Sequence, residues 1–374
     1  MKKTDPSAGY GVACSFLIWL SRSSLWAILC APEPSSPPFL ESPLQPSRRR
    51  LLLISAVIVS IGTVTLSACT PVDSMTTTGS SNAAGDAAVS VDNCGTPVTF
   101  AAAPERVITI KSTSTEMLLA LGLGDRIIGT AFQDGAVAEQ WTADAAALTV
   151  ISEQVPGQEA VLEAAPDMIY GGWESNFSAD GAGERAVLQG LGIATYVSPA
   201  ACKEPAYQPT KLTFADIFDE ITEVASIFRV DPSTLIREQQ DVLDGIVPSR
   251  AGLTALWYSS GNDTPYVGAG IGAPQLVLDT IGLTNIAAGV KDTWTPLGWE
   301  AIIAANPDVI VLVDATWNTA AAKMEALAAN PATANLDAVH NKRYLVVPFA
   351  AAEAGVRSAE AAADLAKQLT VLSF

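Results

Sequence analysis

The segment EAVLEAAPDMIYGGW (159–173) returns later in the chain as EAIIAANPDVIVLVDATW (300–317). Each copy opens on Glu-Ala, runs through a short apolar stretch at helical spacing, breaks at Pro-Asp, and continues into an apolar run ending in tryptophan. A second pair, EMLLALGLGDRIIG (116–129) and QLVLDTIGLTNIAAG (275–289), precedes the first in both halves. Two units repeated in the same order are the mark of a duplicated block, so the chain must fold as two related lobes. The intervening runs RVITI (106–110), RIIGT (126–130), MIYGG (168–172), ATYVS (194–198), LTALWYS (253–259), VIVLVD (309–314) and RYLVVP (343–348) are apolar and largely β-branched. That is how strands covered on both faces read, and their alternation with helical patterns predicts parallel sheets.

The expected fold is therefore α/β, with two Rossmann-like lobes of mostly parallel sheet over 91–212 and 251–374. Between them, 213–250 keeps Ile217, Ile221, Val224 and Phe228 at helical spacing. Asp231-Pro232 then reads as an N-cap followed by proline at the first helical position. A helical connector of this kind limits hinge opening and leaves a ligand cleft between the lobes, which should change little between empty and loaded forms.

The N-terminal part needs a separate reading. Arg48-Arg49-Arg50 precede an apolar run that closes on Leu66-Ser67-Ala68-Cys69. Spanning a bilayer takes about 20 apolar residues, but a basic start and a small-residue exit are the layout of a secretory signal, here 48–68. The exit resembles the lipobox of bacterial lipoproteins. That resemblance implies cleavage after Ala68, a diacylglycerol thioether on Cys69, and anchorage to the outer face of the cytoplasmic membrane. Residues 69–90, rich in Ser, Thr, Gly and Ala, cannot bury a core and read as a flexible tether. Residues 1–47, with a proline-rich run at APEPSSPPFLESPLQP, are expected to be a non-native or disordered extension.

Of five cysteines, Cys14 and Cys30 fall in that extension and Cys69 is the lipid site. Cys94 and Cys202 remain, and in an exported chain an even pair is expected to form a disulfide; two separate thiols are the alternative. A formal net charge of −18 argues against nucleic acid as a partner, since that requires a basic footprint. Hydrolase and oxidoreductase readings lack their motifs: there is no Gly-x-Ser-x-Gly, no phosphate loop and no dinucleotide fingerprint. The single histidine, His340 in AVHNKRYL, reads as a surface turn, so neither imidazole catalysis nor a His-rich metal cleft is expected. No enzyme activity, metal or cofactor is anticipated.

The order of APERVITI, TEMLLALGLGDRIIG, the paired Pro-Asp units and the helical connector resembles the class III substrate-binding proteins of ABC importers, the iron-siderophore and cobalamin periplasmic-binding family, over 91–374. More narrowly, TIKSTSTEMLLALGLGDRIIGTAF, YGGWESN, SPAACKEP, PYVGAGIGAPQ and VPFAAAEAGVR are similar to an actinobacterial subgroup assigned to import of a precursor of coenzyme F-420, a deazaflavin carrying a ribityl phospholactate. The resemblance implies a monomer that delivers a small ligand to a permease dimer driven by cytoplasmic ATPase subunits. A ferric siderophore, another iron chelate or cobalamin is the alternative cargo, the iron being held by the chelator.

In two-lobed α/β proteins the ligand lies outside the carboxyl ends of the strands. Lys111, Ser112, Thr113 and Ser114 follow the first such strand and open a helix, a setting that favours an anion; an ordinary Ser/Thr cap is the plainer explanation. Trp173 and Glu174 follow a Gly-Gly pair, where a ligand can approach the backbone and stack on the indole. The second lobe offers Tyr258, Ser259, Tyr266, Trp294 and Trp317, although any one tryptophan is more often packing than site. Trp257, inside a strand, reads as core. Lys203 and Arg357 are candidate partners for a ligand carboxylate or phosphate. Glu159 and Glu300 sit seven residues before Pro166 and Pro307, at matching helix starts. A first-turn glutamate suits the helix dipole anywhere; the family resemblance implies in addition that this pair docks on the two permease subunits.

Overall fold

A computed structural model describes residues 87–374. The extension, the signal, Cys69 and the tether through residue 86 lie outside the described residues. The first lobe is built on five parallel strands in the order β5-β4-β3-β6-β7. These are β3 (Val107–Ile110), β4 (Ile127–Ala131), β5 (Val150–Ser152), β6 (Met168–Gly171) and β7 (Ala194–Val197). The second lobe has β8 (Thr254–Ser260), β9 (Tyr266–Gly268), β10 (Thr284–Asn285), β11 (Trp294–Pro296), β12 (Val309–Asp314) and β13 (Tyr344–Pro348). Their order is β11-β9-β8-β12-β13, with β10 pairing with β8. Here β8, β10, β12 and β13 run parallel, while β9 is antiparallel to both β8 and β11. The fold is thus α/β with one parallel and one mixed sheet. An antiparallel hairpin, β1 (Val89–Asn93) and β2 (Thr96–Phe100), precedes them.

The duplicated segment shows how the sequence dictates this architecture. Its two copies form the helices Gln158–Glu163 and Trp299–Ala305. Each helix exits through a left-handed residue, Ala165 at φ 48° and Asn306 at φ 40°, before the proline that cannot continue it. The aspartate that follows then stitches the block to the neighbouring strand. Asp167 accepts the backbone N–H groups of Glu105 and Arg106, at 2.8 and 3.0 Å, just ahead of β3. Asp308 accepts the N–H and hydroxyl of Thr254, at 2.8 and 2.9 Å, at the start of β8. Pro-Asp is therefore a helix stop and a sheet joint in one dipeptide, present once per lobe.

All seven apolar runs identified in the sequence are strands, and Trp257 is fully buried in β8. Unanticipated are the hairpin and the short β5, β9, β10 and β11, so Tyr266 and Trp294 stand on strands rather than in loops. In the connector, Thr213 and Asp216 form a reciprocal capping box on the helix Phe214–Phe228, and Ile217, Ile221, Val224 and Phe228 are buried as their spacing requires. The second helix is Ser233–Asp244. Pro232 occupies the cap position, and Asp231 stands one residue further out, accepting from the N–H and hydroxyl of Ser233 at 2.9 Å each.

Cys94, in the hairpin turn, is disulfide-bonded to Cys202, with Cα atoms 5.4 Å apart across 108 residues of sequence. The two lobes also meet directly. Arg357 approaches Glu116 at 3.4 Å, Gln140 donates to Glu360 at 3.0 Å, and Gln239 of the connector donates to the Val356 carbonyl at 2.9 Å. Burial holds the Glu116 carboxyl up at about 7, against the pull of Arg357 and of the Ala138 N–H.

Candidate functional site between the lobes

A cavity of about 400 Å³ opens where the carboxyl ends of the two sheets face one another. From the first lobe come Thr113 after β3, Gly172, Trp173 and Ser175 after β6, and Ser198, Ala200, Ala201 and Lys203 after β7. The second lobe adds Ser259 and Ser260 at the end of β8, Tyr266 on β9 and Trp294 on β11. Trp317 follows β12, and Phe349 and Glu353 follow β13. The parallel strands β3, β6, β7, β8, β12 and β13 contribute their carboxyl ends or the segments leaving them, because strand direction carries each toward the same edge, whereas Tyr266 and Trp294 are the first residues of β9 and β11.

The aromatic groups are set in pairs. Tyr266 and Trp294 stack at 15° with centroids 6.2 Å apart, held side by side by the β9–β11 pairing. Trp317, 65% exposed, meets Phe349 edge-on at 6.0 Å, and Trp173 meets Phe132 edge-on at 5.8 Å. Hydroxyls of Thr113, Ser175, Ser198, Ser259, Ser260 and Thr293 are spaced among them. Among the described residues, Lys203 is the one basic side chain in the lining and Glu353 the one carboxylate. Burial pushes the Glu353 carboxyl up, while Lys111, the Trp173 indole N–H and Lys203 pull it back. Such a chamber suits a flat ring with polar substituents, stacked on aromatic faces and oriented by hydroxyls.

The residues singled out in the sequence divide accordingly. Thr113, Trp173, Ser259, Tyr266, Trp294 and Trp317 line the cavity, as does Lys203. Lys111 does not. Its side chain is 1% exposed and forms an ion pair with Asp134, 23 residues further along and invisible to local reading. Asp134 also accepts the Ser112 N–H at 3.2 Å. The anion expected at this helix start is therefore supplied by the protein's own carboxylate. Ser112 accepts the Asp134 N–H, and Ser114 donates to the Ile110 and Lys111 carbonyls, so both serve the turn rather than the cavity. Glu174 accepts the N–H of Lys203 and thereby ties two cavity walls together. Tyr258 is 2% exposed and donates to the Gly261 carbonyl at 2.8 Å. Arg357 is engaged with Glu116 instead of facing the cavity.

Glu159 and Glu300 lie away from the cavity, exposed in the first turns of their helices. Phe349 and Glu353 were missed. Both follow the RYLVVP strand, and the rule applied to the other strand ends would have found them. His340 is exposed at the end of the helix Asp337–His340. Among the described residues no group of three or more His, Cys, Asp or Glu could hold a metal ion, and no helix is long and apolar enough to cross a membrane.

The family model for periplasmic binding proteins matches residues 107–351. The chain belongs to the periplasmic binding protein family. It is accordingly a substrate-binding protein of the ABC-importer kind, and not an enzyme. It is similar to the uncharacterized ABC transporter substrate-binding lipoprotein YvrC of Bacillus subtilis, 24% identical over 291 residues, covering 73% of this chain and 82% of YvrC. Among solved structures it resembles a periplasmic binding protein from Veillonella parvula, with TM-score 0.68 and 24% identity, over 77% of this chain and 99% of that one. An ABC-type Fe3+-hydroxamate transport protein from Saccharomonospora viridis matches with TM-score 0.64 and 21% identity, over 75% and 98%. The periplasmic haem-binding protein HutB of Vibrio cholerae matches with TM-score 0.56 and 18% identity, over 71% and 99%. At these identities the structures share the fold.

Proposed function

We propose that this protein is the lipid-anchored, extracytoplasmic receptor of an ABC importer, monomeric and tethered through Cys69, and that its cargo is a small anionic ligand built around a flat ring. A deazaflavin precursor of coenzyme F-420 is the cargo that fits the sequence resemblance. The observation that carries the reading is the cavity itself, with three aromatic groupings around about 400 Å³ and one ammonium, Lys203, in its lining. The ring would stack on Trp173 or on the Tyr266–Trp294 pair, and Lys203 would meet the phosphate or carboxylate of the tail. Glu159 and Glu300, one exposed carboxylate per lobe at equivalent positions, would set the register on a two-fold permease.

A second reading, capture of an iron chelate, has the iron-hydroxamate and haem-binding relatives in its favour. Against it stand the sparse basic lining for polyanionic chelates and, among the described residues, the absence of histidine from the cavity lining. Titrating tryptophan fluorescence with the deazaflavin precursor, and separately with a ferric hydroxamate, separates the two. Saturable quenching by the deazaflavin alone is expected. Saturation by the ferric hydroxamate with no response to the deazaflavin would transfer the function to the second reading.

A further inference from the structure

Lys111 is an unusual residue to find beneath a binding cavity. Its backbone adopts φ 84° and ψ 152°, a region almost confined to glycine, which a lysine occupies only when its surroundings hold it there. Gly172 is part of that hold. A Cβ at Gly172 would come within 2.7 Å of the Lys111 Cβ, so the absent side chain is what lets the lysine stem pass under the β6 end. The ammonium then sits 3.7 Å from the centroid of the Trp173 ring, 4.4 Å from Phe132 and 5.0 Å from Phe349. Asp134 pairs with it. The Trp173 Nε1 donates to Glu353 at 3.3 Å, which fixes the plane of the indole.

Trp173 lines the cavity and Lys111 does not, so the ammonium meets the indole from the protein side and leaves the other face for ligand. A cation on one face of an aromatic ring draws π density toward itself and makes the opposite face less negative. We infer that Lys111 is a specificity-determining residue that acts through Trp173, biasing the cavity toward electron-rich or anionic rings and against cationic ones without touching the ligand. The inference rests on the proposal that the cavity takes a flat ring, and it names the class of ring.

The test uses three tricyclic probes of similar size: 8-hydroxy-5-deazariboflavin as its phenolate, the 8-methoxy ether, and the proflavine cation. Binding is measured on the whole folded domain carrying Lys203→Ala, so that no ammonium in the cavity lining contributes. The expected order is phenolate, then ether, then cation, with the phenolate favoured over the ether by roughly 5- to 20-fold. Lys111→Met combined with Asp134→Asn, which removes the ion pair as a whole and leaves Glu353 its bond from the Trp173 indole, should abolish that preference. Trp173→Leu, which keeps Lys111 but removes the ring that relays it, should abolish it too. No preference in the Lys203→Ala protein, or a preference that survives removal of the Lys111 charge, overturns the inference. If none of the probes binds, the flat-ring reading of the cavity fails. The inference, which rests on that reading, falls with it, whereas binding without the stated preference overturns the inference alone.

Discussion

Glu220, on the connector helix, is 4% exposed and accepts the Tyr170 hydroxyl at 2.8 Å. Burial raises its carboxyl from the ordinary 4.5 to about 7. Because the folded-state value lies above the unfolded one, the stability tied to the bound proton is fully present below about pH 4.5 and is lost as pH rises through 7. A shift of this size corresponds to an effect of about 3 kcal/mol. Glu220→Gln keeps an acceptor for Tyr170 and removes one titration from this window, so the gap between urea-unfolding free energies at pH 5 and pH 8 should narrow by about 3 kcal/mol in that variant. The remainder belongs to groups such as Glu116, which burial also holds up at about 7. An unchanged pH slope would place the linkage elsewhere. Gly172 makes a second residue-scale case. Gly172→Ala must displace the Lys111 stem or the Thr113 side chain, with overpacking costs of about 1–3 kcal/mol. Calorimetry should show weaker binding of the deazaflavin probe together with a lowered melting temperature. Binding that matches wild type would mean that the turn relaxes without disturbing Trp173.

At the scale of elements, the hairpin β1–β2 acts as a brace for one cavity wall. Its two turn residues, Cys94 and Gly95, both have positive φ, 51° and 77°, as a two-residue hairpin turn requires. Asn93 beside them donates to the Val197 carbonyl and accepts the Val197 N–H, at 2.8 Å each. The disulfide reaches Cys202, whose neighbours Ala200, Ala201 and Lys203 line the cavity. Replacing both cysteines by serine should lower unfolding stability by about 4–5 kcal/mol, from the entropy of a loop of this length. Ligand affinity should fall as well, read by the same fluorescence titration. Lost stability with intact affinity would show that Asn93 and Glu174 hold the wall unaided. The hairpin was hidden in the sequence because the usual Asn-Gly or Asp-Gly signal is replaced by Cys-Gly. β9 and β11, three residues each with Gly or Pro at the end, are too short for period-2 alternation to register. The long runs were legible because strands buried on both faces cannot hide their composition, as VITI shows with all four residues buried. Trp173 and Trp317 were legible from the strand-end rule, whereas the fate of Lys111 depended on Asp134, a partner that no spacing announces.

For the molecule as a whole, the exposed pair Glu159 and Glu300 belongs to the outer surface and not to the cavity. Glu159→Lys with Glu300→Lys should leave probe affinity at the wild-type value while impairing permease binding and uptake in membranes carrying the permease. Normal uptake by the double variant would reduce the two residues to helix starts. The lobes themselves are bridged at Arg357–Glu116 and Trp173–Glu353, both half-buried, and at the exposed Gln140–Glu360 pair, so opening must break two half-buried polar contacts, in keeping with a stiff connector. The Asp167 and Asp308 joints fasten the amino ends of their neighbouring strands, and the cavity is built at the opposite, carboxyl ends. A lineage that retains the joints can therefore exchange the aromatic and hydroxyl side chains at the far edge one at a time. In this design the inheritance of the framework is uncoupled from the choice of cargo.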